Sequence, residues 1–193
     1  MLGLPGLPAR PRRVRPLSRY EYAHMVEFGW FANQQIELLR GTLVDMNSHR
    51  WPHAAAIEFL TEQLILQPVG RYSVRPQMPF FADDWSEPAP DLAVAEKDPM
   101  LRDHPSELLL VIEVADESLA IDRGPKLTIY AEAGVPEYWI LDLAHRTVEV
   151  YTQPVNSRYA NVQVLRDGDV LRPTLLPDVA IRVADIPRYT GTR

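Results

Sequence analysis

The chain contains no cysteine. Disulfides, thiolate metal sites and cysteine nucleophiles are thereby excluded, and the composition fits a reducing compartment. No apolar stretch approaches the roughly 20 residues that a membrane span needs. The N-terminus lacks the apolar core of a secretory signal. The expectation is a cytoplasmic protein with no membrane association. Basic charge is also scarce: 20 Lys and Arg stand against 26 Asp and Glu. Five of those arginines (Arg10, Arg12, Arg13, Arg15 and Arg19) lie in a leader with no acid before Glu21, so the body carries 15 basic against 26 acidic residues, about −11. A general nucleic-acid coat protein would be basic. Any nucleic-acid contact must therefore be local, through the leader or a metal-charged cleft.

What is present suits one globular domain with a sizeable core. Residues 1–16 are rich in Pro and Arg without periodicity, and read as a flexible arm. Residues 17–193 read as a single domain. Ser18 and Glu21 have capping-box spacing before a helix bearing Tyr22, Met25, Val26 and Trp30. Ile36–Leu39 and Thr42–Met46, split by Arg40-Gly41, predict a β-hairpin. The pattern from Pro52 to Leu66 is helical, with proline in the first turn. Tyr72–Phe81 reads as a strand whose Pro76 and Pro79 favour a sheet edge or bulge. Further strands are expected at Asp91–Ala95, Leu108–Ala115, Glu137–Leu143, Thr147–Thr152 and Tyr159–Leu165. A helix is expected over Leu119–Ala133, ended by Gly134. This order predicts an α/β or α+β domain with a mixed central sheet.

Within Leu108–Ala115, an otherwise apolar run, stands Glu113. A strand of this composition is buried on both faces, and an ionised carboxylate there costs several kcal/mol unless something pairs with it. Asp91 opens the preceding predicted strand, so the two carboxylates converge if those strands pair. On an ideal helical wheel, Lys126 shares a stripe with Ile129, Tyr130 and Ala133, and Asp122 lies about 40° away. That stripe should pack on the sheet bearing Glu113, although Asp122 and Lys126 could instead form an i,i+4 pair beside solvent. Asp91 and Glu113 could hold a hard divalent cation, Mg²⁺ first and Mn²⁺ second, through oxygen ligands. Lys126 could orient an attacking water or steady developing negative charge. Phosphodiester hydrolysis fits this set. Two other readings stay open: a non-catalytic module for nucleic-acid binding or protein interaction, and a glycoside hydrolase using the two carboxylates as an acid–base pair.

Pro90-Asp91 followed by Ile112-Glu113-Val114 resembles the core of the PD-(D/E)XK nuclease superfamily. Glu113-Val114-Ala115-Asp116-Glu117-Ser118, Asp122, Lys126, Tyr130 and the run Ala133 to Asp142 resemble the Uma-two family, whose members are described as "putative restriction endonucleases". Ile36 to Met46 resembles that family's first hairpin, and His53 stands where members often carry a histidine. The similarity spans about residues 18–187. It implies a restriction-endonuclease-like fold, a mixed sheet flanked by helices, acting on DNA. It also implies Asp91, Glu113 and the Val114 carbonyl as metal ligands and Glu37 as an accessory carboxylate. His53 could be a base or a phosphate contact, although a satisfied histidine at a helix N-terminus is the commoner case, and Asp122 is a further accessory candidate. By position alone Glu37 could equally be a solvent-facing strand residue. The superfamily's lysine position, two residues after the glutamate, holds Ala115 here, which leaves Lys126 as the candidate lysine. Asp116-Glu117-Ser118 replaces a Ser-Pro-Ser-like segment. A homodimer would suit cutting two antiparallel strands by symmetry.

Overall fold

The computed structural model describes residues 15–46, 50–68, 70–98, 100 and 103–187. Most of the predicted arm lies outside these residues. The chain begins with helix α1 (Arg19–Glu27), capped by Ser18 with the reciprocal Glu21 bond that the spacing predicts. Of its apolar residues only Tyr22 is buried, its hydroxyl donating to the Ile36 carbonyl at 2.7 Å. Trp30 lies beyond the helix end and is exposed. Strands β1 (Ile36–Leu39) and β2 (Thr42–Asp45) form the expected hairpin. Arg40 and Gly41 both take positive φ, 50° and 75°, as a two-residue turn matched to strand twist requires. Helix α2 (Trp51–Leu66) follows, with Pro52 in its first turn.

The central sheet has six strands in the order β3 (Tyr72–Pro76), β4 (Leu92–Glu96), β5 (Leu110–Ala115), β6 (Glu137–Asp142), β7 (Thr147–Val155), β8 (Arg158–Leu165). All neighbours are antiparallel except β5 and β6, which run parallel. That parallel pair requires a crossover, which the segment between Ala115 and Glu137 supplies. Strand β3 stops at Pro76 on the sheet edge and does not continue to Phe81. A short pair, β9 (Val170–Leu171) and β10 (Ile181–Arg182), closes the chain.

The pleat sends alternate residues to opposite faces. Leu92, Val94, Leu110, Ile112, Val114, Trp139 and Leu141 meet Ala56, Leu60 and Leu64 of α2 and the C-terminal residues Leu171, Leu176 and Ile181. Ala93, Ala95, Val111, Ala115, Tyr138 and Ile140 face the other way, against Phe80, Tyr130 and Val135. Asp91 and Glu113 share the parity of this second set and so face the crossover helix. Both faces of the central strands β5 and β6 are covered, as the apolar run around Glu113 requires.

The crossover departs from the expected continuous helix over Leu119–Ala133. It consists of α3 (Leu119–Ile121), a π-helical turn (Asp122–Lys126) and α4 (Leu127–Glu132). Gly124 leaves helical geometry at φ −106°, ψ −106°, and the Leu127 amide bonds the Asp122 carbonyl. Pro125 explains the break: it offers no N–H, and its ring clashes with the carbonyl four residues back. The helix ends at Gly134 with φ 72°, where the left-handed conformation suits glycine.

Candidate functional site

Strands β4 and β5 pair antiparallel with Leu92 opposite Ile112, which sets Asp91 beside Glu113 at one end of the sheet. The Asp91 amide points to Glu113 Oε2 at 3.4 Å, and the Val114 amide donates to Asp91 Oδ2 at 2.8 Å. His53, in the first turn of α2, reaches the same Asp91 oxygen through Nε2 at 3.1 Å. From the crossover, Lys126 Nζ donates to Glu113 Oε1 at 2.9 Å and Tyr130 donates its hydroxyl to that oxygen at 2.6 Å. From the hairpin, Glu37 lies 3.2 Å from Lys126 Nζ and also accepts the Ala89 amide at 3.0 Å. Asp122 does not bond Lys126; its Oδ2 accepts the Ser118 hydroxyl at 2.6 Å, and its Oδ1 is buried without a partner.

All seven candidate positions from the sequence thus gather at one end of the sheet. Glu37 is buried on β1, not turned to solvent, because β1 packs inward at three consecutive residues, Glu37 to Leu39. Asp122 and Lys126 are each 1% exposed, so neither belongs to a solvated helical face.

Four buried carboxylates, Glu37, Asp91, Glu113 and Asp122, surround one buried ammonium. Burial drives Glu113 well above the usual carboxylate range, although Lys126 opposes the shift. Glu37 is raised for the same reason. Burial likewise pushes Asp122 up to about 6. Burial also acts on Asp91, but the His53 hydrogen bond and charge and the Val114 amide outweigh it and hold its carboxyl low. For Lys126, the attraction of Glu113, Glu37 and Asp122 exceeds the cost of burial, so it holds its proton more tightly than an exposed lysine. It is an ammonium at every physiological pH.

Glu37, Asp91, Glu113 and Lys126, with His53 and Val114, line a cavity of about 300 Å³. At its mouth Arg50 donates to Glu117 at 2.5 Å and lies 3.9 Å from Asp116. Among the described residues no three His, Cys, Asp or Glu side chains are arranged to hold one ion. The donor set that fits a cation is instead two carboxylates and a carbonyl. Glu113 Oε2 takes only the long Asp91 amide contact, and no hydrogen bond to Asp91 Oδ1 is found among the described residues. Val114 lines the cavity and turns its N–H to Asp91, so its C=O lies along the same strand edge. Oxygen ligands of this kind suit Mg²⁺, which takes one or two carboxylates and keeps several waters.

Two participants were not assigned in the sequence. Tyr130 looked like a packing residue on the Lys126 stripe; its position four residues beyond the lysine was the available signal. Arg50 precedes the helix and carried no pattern that singled it out.

A family profile described as "Uma2: Putative restriction endonuclease" matches residues 20–184. Among solved structures, one described as a "putative nuclease belonging to DUF820" from Anabaena variabilis superposes with a TM-score of 0.70 at 13% identity. The match covers 89% of this chain and 97% of that one. At that identity the likeness establishes the fold alone. No curated protein matches significantly.

Proposed function

The chain belongs to the Uma2 family of "putative restriction endonucleases", and from that premise we propose that it is a metal-dependent endonuclease hydrolysing DNA phosphodiester bonds. The observation that carries this reading is the buried excess of negative charge. Four carboxylates around a single ammonium are costly in a low-dielectric interior, and a divalent cation is the partner that would offset them.

In this reading Asp91, Glu113 and the Val114 carbonyl hold the ion, Mg²⁺ or Mn²⁺. When bound, it would stabilise charge on a phosphoryl oxygen and acidify a water. The protein's own groups do the positioning. His53 and the Val114 amide fix Asp91. Lys126 and Tyr130 fix Glu113 by gripping one carboxylate oxygen, which leaves the other for a ligand. Glu37 holds Lys126 in place. Because Lys126 keeps its proton, it serves as a fixed positive charge facing the developing negative charge of the phosphate and not as a general base. Residues 17–193 act as one domain, the arm adds local positive charge for DNA, and a cytoplasmic homodimer would present two sites to antiparallel strands. No helix among the described residues is long and apolar enough to cross a membrane.

Purified protein is incubated with supercoiled plasmid and Mg²⁺ or Mn²⁺. Nicking that requires the metal and disappears in Glu113→Ala and Lys126→Ala is expected. Nicking that persists in both variants, or that survives EDTA, overturns the proposal.

One observation favours a second reading, an inactive nuclease-fold module for nucleic-acid binding or protein interaction. Six acids line the cleft, Glu37, Asp45, Asp91, Glu113, Asp116 and Glu117, against Arg50 and Lys126, a field that repels DNA unless a metal is bound. Calorimetry separates the two: failure to bind Mn²⁺, with DNA binding that survives Asp91→Ala, selects the inactive module.

A further inference from the structure

A second cavity, of about 890 Å³, opens at the opposite end of the sheet. It lies beside Leu108 and Leu109, just before β5 begins, and beside Ala95 and Glu96, where β4 ends. Its polar floor is Arg75, the fourth residue of β3, which faces it together with Ser73. Arg75 is 4% exposed, and its Nε is buried without a hydrogen-bond partner. Among the described residues no carboxylate forms an ion pair with it. Burial lowers its hold on the proton and no neighbouring charge offsets that. An isolated buried guanidinium is a costly arrangement, and it presents a rigid fork of donors matched to a carboxylate. Toward the mouth the sign reverses: Glu96, Asp98, Asp103 and Glu107 line the same cavity, with His104.

We propose that this cavity binds a small zwitterion, its carboxylate taken by Arg75 at the floor and its cationic group by the carboxylates at the mouth. The volume falls within the range of about 300–1,000 Å³ typical of small-molecule sites. The acidic mouth excludes polyanions, so nucleic acid is not the occupant, and the cavity is separate from the cleft holding Asp91 and Glu113. The ligand class follows from the order of charges: an anion first, then a cation farther out. A simple oxyanion would satisfy the floor but not the mouth, and a simple amine the reverse.

The full-length protein is titrated with ω-amino acids from glycine to 6-aminohexanoate. Hexanoate, hexylamine and inorganic phosphate serve as controls, and binding is read by calorimetry and by the NMR signal of the Arg75 Nε–H. Saturable binding of at least one ω-amino acid is expected, tighter than hexanoate or hexylamine, with a shift of the Nε–H and at least a tenfold loss in Arg75→Met. Arg75→Met itself is expected to melt higher than the wild type, because it removes an unpaired buried cation. A melting temperature that falls instead would make Arg75 structural and overturn the proposal. So would no binding by any ω-amino acid, equal binding by hexanoate or phosphate, or undiminished binding in Arg75→Met.

Discussion

Replacing Lys126 by methionine isolates the electrostatic role of the ammonium at the centre of the acidic cluster. The side chains are close in length and the ammonium is 1% exposed, so packing is largely retained while Glu113 and Glu37, 2.9 and 3.2 Å away, lose their counter-charge. Removing one member of a buried pair costs about 3–5 kcal/mol, a large share of the roughly 5–15 kcal/mol that holds a domain folded. The carboxylates can escape by taking up protons. From an ordinary value of 4.5, each protonation costs about 1.4 kcal/mol per pH unit. That is roughly 5 kcal/mol at pH 8 but below about 1 at pH 5. In the fold both groups titrate above their ordinary value because of burial. The native state therefore binds more protons than the unfolded chain, and stability falls as pH rises through this range. Lys126→Met steepens the fall. Urea unfolding followed by tryptophan fluorescence should show a loss of about 3–5 kcal/mol at pH 8 that shrinks to about 1–2 at pH 5, with an unchanged m-value. A loss that is the same at both pH values would mean that the lysine matters for packing, and the charge argument would fail.

Asp122→Asn should stabilise the protein at pH 8 by up to about 3 kcal/mol and do nothing at pH 3.5. Burial raises this group from 3.8 to about 6, and the ionised form carries a penalty that appears only as pH climbs through that window; melting curves at the two pH values measure it. Mn²⁺ at 100 times its dissociation constant should stabilise the wild type by about 2.7 kcal/mol, and Glu113→Gln should abolish that increment in a thermal-shift assay. Tyr130→Phe removes one of two donors to Glu113 Oε1 and should lower nicking while leaving DNA affinity unchanged in anisotropy measurements. Arg50→Gln should do the reverse. It weakens DNA binding and reduces the slope of log K against log salt by about one if Arg50 exchanges Glu117 for a phosphate.

Much of this site was legible because it violates the pattern around it. Glu113 stands out in β5 as a charge among aliphatic residues, and that anomaly required partners. Asp91 was readable from the strand order, and Lys126 from a helical wheel. The wheel succeeded for an incomplete reason: it assumed a continuous helix, whereas Gly124-Pro125 opens a π turn between Asp122 and Lys126. Propensity flags a Gly-Pro pair as a break but does not say which way the chain resumes; here packing of Ile129 and Tyr130 on the sheet decides it. Glu37 illustrates the opposite limit. Its β1 neighbours permitted either face, and only the contact with Lys126 across 89 positions of sequence resolves the choice. Arg75 shows the same limit from the other side, since a lone arginine in an edge strand looks solvated until it is found buried beside a cavity that residues 103–109 also line.

The π turn divides the crossover into two segments with separate allegiances. From the turn's last residue onward, Lys126 and Tyr130 are anchored to the floor of the cleft through Glu113. Upstream, Asp116, Glu117 and Ser118 form its rim. A turn that closes on the fifth residue holds one more residue than an α turn would. Losing that residue would swing the upstream segment by about 100° while the downstream segment stayed seated on the sheet. Rim and floor are therefore phased independently. Single-residue insertions or deletions at Gly124 could re-aim the groups that first meet a ligand without disturbing the carboxylates beneath them, so a lineage could vary what enters the cleft while preserving what happens inside it.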